Sequence, residues 1–173
     1  QRLCGICPVS HHLAASKAMD IIVGAKKLTP TAEKLRRLMH YGQMLQSHAL
    51  HFFHLCSPDL LFGFDSDVTR RNIVGVAAEH PEIAKRGVLL RKFGQEVIRI
   101  TSGKRIHGTG AVPGGMNKSL TIAERDELLK DIYQIVAWSR DAVHLIQKVH
   151  IQDPGLYNSF GIFRSNFMSI VGH

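Results

Sequence analysis

Residues 29–58 read TPTAEKLRRLMHYGQMLQSHALHFFHLCSP, and this stretch decides the fold. Thr29 is a favoured N-cap, and Pro30 takes the first helical position, where a missing N–H is tolerated. Apolar residues then recur at three-and-four spacing as far as Leu55, and Pro58 supplies a stop signal. The pattern predicts one helix of about seven turns, long enough to organise a helical bundle.

Three further segments show helical periodicity. The first opens at Ser10, which we take as its N-cap, and carries an apolar stripe that ends before Gly24. Another begins near Pro81 and is closed by Gly103, and the last starts with the capping box Thr121–Glu124 and runs to Val149. The stripe of the first helix consists of Ala14, Ala15, Ala18, Met19, Ile22 and Val23.

Strand signals are weak along the whole sequence. A shorter helix is expected at 67–79, and a short strand only near Ile100 or in the tail after Gly155. The sequence therefore predicts a mainly α fold, a bundle of long helices, with residues 1–173 as a single, partial domain. Since the chain begins with Gln1 and stops just after an apolar stretch, we expect a fragment truncated at both ends.

Composition excludes several classes of protein. Of 173 residues, 45% are hydrophobic and 21% charged, which is typical of a soluble globular domain. The net charge of +8 comes from basic pairs separated by apolar turns, so a nucleic-acid surface is not expected. Neither a membrane span nor a signal peptide is visible, and three cysteines suit a reducing compartment; the expected location is the cytoplasm.

The sharpest local motif is residues 2–11, RLCGICPVSH, directly before a predicted helix. Two thiols spaced C-x-x-C turn their sulfurs toward a common point, and we expect the helix N-terminus and Arg2 to lower the pKa of both thiols. The spacing alone leaves several interpretations open. It could be half a zinc site, part of an iron–sulfur site, a redox dithiol or no site at all.

The remaining residues narrow these interpretations. A thioredoxin-like dithiol requires a preceding strand, and none is predicted here. A closed site of four cysteines requires two more thiols, and Cys56 is the only other cysteine in this sequence. His48, His51 and His54 advance three residues at a time and so turn around their helix, and helix histidines are more often core or surface residues than ligands. We therefore expect a metal site with two ligands here and others elsewhere, and a buried structural role for Cys56.

The glycine-rich loop at 103–119 invites a nucleotide-binding interpretation, which its details exclude. Pro113 stands where the third glycine of a dinucleotide fingerprint belongs, and Met116 stands at the lysine position of a phosphate loop. Residues 112–115 instead predict a tight turn that lets the backbone approach another group closely, and a simple connection between two helices is the alternative interpretation of this loop.

Together, these motifs resemble the large subunit of nickel–iron hydrogenases, in its cytoplasmic, bidirectional, NAD-reducing branch. The resemblance covers residues 1 to about 130 and adds to the C-x-x-C string six further segments. These are Leu45–His48, Leu61–Gly63, Arg91–Ile98, His107–Gly108, Pro113–Gly115 and Ile122–Asp126.

The resemblance implies a role for each matching residue. Cys4 would be a terminal nickel ligand, and Cys7 would bridge nickel and iron. His11 would hydrogen-bond the bridging sulfur, and Arg2 is a further candidate catalytic residue. The iron of such centres also carries carbon monoxide and cyanide. Soft sulfur donors suit a redox-active metal of this kind.

The implied reaction is reversible heterolytic cleavage of dihydrogen. Electrons would leave through the iron–sulfur clusters of a small subunit, and they would reach NAD at a flavin on diaphorase subunits, since this chain has no dinucleotide fingerprint of its own. NADP, F420 or a cytochrome is the alternative acceptor.

The chain also departs from the family pattern. The upstream glutamate motif and the C-terminal D-P-C-x-x-C-x-x-H are not in the sequence, so half the ligands would lie outside it and this fragment alone would be inactive. Ser47 stands where uptake enzymes carry an aspartate. The competing hypothesis is a nickel-free relative that acts as a quinone-binding or scaffold subunit of a respiratory complex. Such relatives usually lose both cysteines, which are present here.

Overall fold

The computed structural model describes residues 2–170, and nearly all of its regular structure is helical, which confirms the mainly α prediction. The chain forms two compact units, one ending at Ser139 and the other beginning at Arg140; the single domain stays a prediction. Among the described residues, no helix is long and apolar enough to cross a membrane. In chain order, the elements are α1 (Pro8–Ile22), α2 (Pro30–Leu50), a π-helical segment (His51–Cys56), α3 (Ser57–Phe62), α4 (Ile73–Glu79), α5 (Pro81–Ser102), β1 (Ala111–Val112), β2 (Gly115–Met116), α6 (Ile122–Leu129), α7 (Ile132–Gln152) and α8 (Pro154–Ser159).

Helices α2 and α5 form the main contact of the first unit. The two backbones approach closely because glycines lie at the seam, where a Cβ on Gly94 would be 2.5 Å from the carbonyl oxygen of Gly42. Met39 of α2 and Ile98 of α5 are almost fully buried beside Val9 of α1. This core holds the start of α1 against α2.

The predicted long helix is present, but it does not stop at Pro58. The backbone continues from α2 through the π-helical segment into α3, which ends at Gly63 with φ of 89°. Proline has no N–H to give to a preceding carbonyl, and its ring clashes with the carbonyl four residues back, so a widened turn before it relieves both problems. The Ser57 hydroxyl donates to the Phe53 carbonyl at 2.7 Å, which pairs one of the affected groups.

Helix α1 differs from the sequence prediction at its start and on its faces. It begins at Pro8 with Cys7 as N-cap, rather than at Ser10, because proline is accommodated at the first helical position. The predicted apolar stripe is exposed, whereas Val9, Ser16 and Asp20 are the buried residues. The buried polar groups are hydrogen-bonded, so their burial is tolerated.

The loop at 103–119 contains the two strands. They pair antiparallel as Ala111 with Met116 and Val112 with Gly115, around a turn in which Gly114 has φ of 80°. The tight turn is confirmed, but the predicted strand positions are wrong. Ile100 lies inside α5, where burial of its helix face prevails over its β-branched preference. In the tail after Gly155, α8 continues to Ser159, residues 160–170 form no strand, and residues 171–173 lie outside the described part of the chain.

Two of the other predicted helices have different bounds in the structure. The capping box of Thr121 and Glu124 forms as predicted, but the helix it opens ends at Leu129, and α7 begins at Ile132. Asp131 lies at this break, and aspartate favours helix starts over helix interiors. The helix predicted at 67–79 begins only at Ile73, because the Asn72 side chain accepts from the N–H groups of Val74 and Gly75 and so caps it.

Candidate metal centre

The C-x-x-C turn brings two sulfurs and one imidazole together just before and within the first turn of α1. The Sγ atoms of Cys4 and Cys7 are 2.7 Å apart, and ligand atoms of Cys4, Cys7 and His11 all lie within 4.8 Å of one another. Both cysteines are half-buried, and His11 is exposed. Two soft thiolates with an imidazole beside them fit nickel and iron, so the donor set suits the expected centre.

The two thiols differ in their electrostatic surroundings. The Cys7 thiol donates to the Cys4 sulfur, which also accepts from the backbone N–H of Cys7 at 3.0 Å and of Ile6 at 3.3 Å. These donors, the Cys7 thiol first, lower the pKa of Cys4, whereas the same thiol contact and burial raise the pKa of Cys7. The expected lowering of both pKa values therefore holds for Cys4 and not for Cys7, because the Cys7 thiol is the donor of the bond between the two sulfurs.

Two glutamines of α2 hold the ends of this turn. Gln46 donates from Nε2 to the Ile6 carbonyl at 2.5 Å, and the Gln43 Oε1 accepts from the Ser10 N–H at 2.9 Å. Each glutamine is 4% exposed, so water competes little for these bonds. The Ser10 hydroxyl also lies 3.2 Å from His40 Nε2, which adds a further contact between α1 and α2.

The hairpin at 111–116 is held against the same helix. His12 Nε2 accepts from the Ala111 N–H at 3.1 Å, and burial lowers the pKa of His12, which keeps this nitrogen a neutral acceptor. A cavity of about 270 Å³ opens beside Cys4 between α1 and the loop before the hairpin. His107 lines it and has φ of 55°, a left-handed conformation that non-glycine residues adopt only when their surroundings impose it.

The other two predicted residues, Arg2 and Cys56, do not belong to this cluster of possible ligands. Arg2 is exposed, and it is not among the groups that lower the pKa of Cys4. Cys56 is half-buried, with its sulfur 3.3 Å from His51 Nε2, and burial raises the pKa of its thiol. Within residues 2–170, the cluster able to hold a metal comprises Cys4, Cys7 and His11 alone. The individual roles of Cys4, Cys7, His11 and Arg2 stay predictions, as does the structural role of Cys56.

Sequence reasoning missed the residues that support the site. His40, Gln43 and Gln46 are spaced three apart on α2 and interrupt its apolar pattern, with the two glutamines fully inside. Polar residues inside an apolar helix face signal hydrogen-bonded partners on another element, because burying them without partners is costly. These polar residues indicate which face of α2 makes the hydrogen bonds, but they do not indicate which residues accept or donate on the other side.

Comparison with known proteins agrees with this geometry. Residues 1–64 match the family described as Nickel-dependent hydrogenase. Over 99% of its length, the chain is 44% identical to the NAD-reducing hydrogenase HoxS subunit beta of Cupriavidus necator and covers 38% of that protein. It is also 44% identical to a chain of the F420-non-reducing hydrogenase vhu of Methanocaldococcus jannaschii, over 98% of this chain and 40% of that one.

A solved structure agrees as well. The crystal structure of an NAD+-reducing [NiFe]-hydrogenase in the H2-reduced state matches with a TM-score of 0.90 and 57% identity, over 94% of this chain and 36% of that one. The chain thus spans about two fifths of the length of the curated relatives it matches. With the C-x-x-C geometry, these matches identify the chain as a member of the nickel-dependent hydrogenase family.

Proposed function

We propose that the whole protein is the large subunit of a nickel–iron hydrogenase that cleaves and forms dihydrogen reversibly. The observation that carries this proposal is the Cys4, Cys7 and His11 cluster, whose two sulfurs lie 2.7 Å apart in a chain of this family. A nickel–iron centre, its iron carrying carbon monoxide and cyanide, would supply the redox chemistry and the polarisation of dihydrogen. This chain supplies half of its thiolates.

The residues of this chain would bind and orient the centre. Cys4 would be a terminal nickel ligand, and Cys7 would lie between nickel and iron. His11, one helical turn after Cys7, places an imidazole nitrogen within 4.8 Å of both sulfurs, and in the loaded centre it would hydrogen-bond the bridging sulfur. Arg2, two residues before Cys4, is the further catalytic residue of this proposal, and it is exposed.

We further propose that the electrons leave this subunit for NAD. A relative with 44% identity is named as NAD-reducing, and so is the structural neighbour with 57% identity. This chain has no dinucleotide fingerprint, so the acceptor would be reduced at a flavin on diaphorase subunits, after a small subunit with iron–sulfur clusters. The expected location is the cytoplasm, where NAD is available.

The test compares two preparations under hydrogen. The large subunit paired only with its small subunit should reduce artificial dyes but should not form NADH, whereas addition of the flavin-bearing subunits should restore NADH formation. The readouts are dye absorbance and NADH absorbance on the same samples. NADH formation by the two-subunit form at the full rate would place the acceptor site here, and dye reduction without nickel would overturn the metal assignment.

A further inference from the structure

We propose that Gln46 tunes the electron density on the Cys4 sulfur through one peptide group, the one that joins Ile6 to Cys7. Gln46 Nε2 donates to the carbonyl oxygen of Ile6 at 2.5 Å, and the N–H of the same peptide group, on Cys7, donates to Cys4 Sγ at 3.0 Å. The three groups form one continuous chain of hydrogen bonds. Its significance rests on the proposed function, in which Cys4 is a nickel ligand.

The peptide group transmits this effect because it is conjugated. A donor on the carbonyl oxygen pulls electron density toward oxygen and makes the N–H a stronger donor, by about 10–30% per bond in condensed-phase estimates. Gln46 is 4% exposed, so its carboxamide acts without competition from bulk water. Cys4 Sγ therefore accepts a stronger hydrogen bond than an isolated backbone N–H would give.

The packing of α2 fixes Gln46 in place. Gly94 of α5 lies so close that a Cβ there would be 2.7 Å from the Gln46 backbone nitrogen and 2.8 Å from its Cβ. The seam between α2 and α5 thus sets the height of the carboxamide above the C-x-x-C turn. Gln46 is in this sense a positioning residue, which acts on the sulfur through the Ile6 carbonyl and the Cys7 N–H.

The electronic consequence has a definite sign. Hydrogen bonds to a ligating sulfur withdraw charge from it, which favours the lower oxidation state of the metal and raises the reduction potential. Loss of the Gln46 donor weakens the N–H bond to sulfur. The metal centre should then have a lower midpoint potential, and its nickel spectrum should change.

The matched control is Gln43, one turn earlier on the same helix. It is also 4% exposed and also bonds the segment around the cysteines, but its partner is Ser10 rather than the peptide group that contacts Cys4. Gln43→Met and Gln46→Met each replace a carboxamide by an unbranched apolar chain of similar size. Gln43→Met loses two hydrogen bonds from α2 to Ser10 and Gln46→Met loses one from α2 to Ile6, so only Gln46→Met interrupts the chain to sulfur.

The experiment measures the midpoint potential of the nickel signal by redox titration in the whole, metal-loaded protein, with nickel content determined in parallel. We expect a lower potential in Gln46→Met than in both the unmodified protein and Gln43→Met. Loss of nickel in Gln46→Met alone also supports the proposal. Equal potentials in the two variants, or equal nickel loss in both, would show that the glutamines only hold residues 6–10 against α2.

A second measurement uses the unmodified protein without metal, so it does not depend on whether a variant folds. Hydrogen–deuterium exchange of the Cys7 amide in the unmodified metal-free protein reports whether this N–H is bonded, and we expect it to exchange severalfold more slowly than the Gly5 amide. Fast exchange at Cys7 would overturn the proposal. If the Cys7 amide exchanges slowly but the purified protein never contains nickel, the proposed function fails while the hydrogen bond to the Cys4 sulfur is supported.

Discussion

Removal of Arg36 should destabilise the fold strongly, because its guanidinium joins α2, α1 and the hairpin. It bonds both carboxylate oxygens of Asp20, at 2.6 and 3.1 Å, and the carbonyl oxygens of Val112 at 2.8 Å and Gly115 at 3.1 Å. Asp20 in turn accepts from the Gly114 N–H at 2.7 Å. The ion pair thus fastens the hairpin to the helix that carries His11 and His12.

The size of the effect follows from burial. Each side chain of the pair is 10% exposed, and removing one partner of such a pair costs about 3–5 kcal/mol, because the other charge stays buried without compensation. The remaining exposure lets some water reach the unpaired group, which places Arg36→Met near the lower end, at about 3 kcal/mol. The double variant Asp20→Leu with Arg36→Met buries no charge and should cost less than the two single changes together.

The pair also predicts a pH dependence. Hydrogen bonds from Arg36, followed by the Gly114 N–H, hold the pKa of Asp20 below its ordinary value. The folded pKa is therefore below the unfolded one of about 3.9, so this contribution is fully present above about pH 4 to 5 and is lost as the pH falls through the folded pKa. Asp20→Asn should remove this part of the acid sensitivity.

Urea unfolding of Arg36→Met, Asp20→Leu, the double variant and Asp20→Asn, between pH 3 and pH 7, measures these free energies. A matched surface variant is Arg37→Met, since Arg37 pairs with Glu33 in solvent and such pairs contribute about 0–1 kcal/mol. If Arg36→Met costs no more than Arg37→Met, the pair does not hold the hairpin, and the reasoning is refuted.

Two further predictions concern packing. Gly94→Ala should destabilise by at least about 1–3 kcal/mol, because its Cβ would lie 2.5 Å from the Gly42 carbonyl oxygen, whereas Gly5→Ala meets nothing within 4 Å and should be well tolerated; unfolding curves of both compare them. Cys56→Ala should leave the nickel content unchanged and cost about 1 kcal/mol, since the thiol is half-buried and lies outside the metal cluster of the described residues; loss of nickel would mean that Cys56 is a ligand.

Much of the fold could be predicted because its signals are local. Pro30, Gly103 and the Thr121–Glu124 box mark helix ends through their own backbone chemistry, and each of these ends forms as expected. The C-x-x-C pair is also local, so its two sulfurs meet as expected.

The misses depend on partners that are distant in sequence. Asp20 and Arg36 are 16 residues apart, and nothing in either residue indicates that the two pair in the interior. Their pairing turns the polar face of α1 inward and leaves the predicted apolar stripe outside. Likewise, Gln46 is 40 residues from Ile6, and only the packing of α2 against the start of α1 brings them together.

Nickel retention in Cys7→Ser tests the central claim most directly. The whole protein carrying this substitution would be purified beside Cys56→Ser, which makes the same chemical change at a thiol outside the cluster, and both would be analysed for nickel by mass spectrometry. If Cys4 and Cys7 hold the metal, Cys7→Ser should lose its nickel and Cys56→Ser should keep it. Near-stoichiometric nickel in the Cys7→Ser protein, with hydrogen-dependent dye reduction intact, would contradict the account.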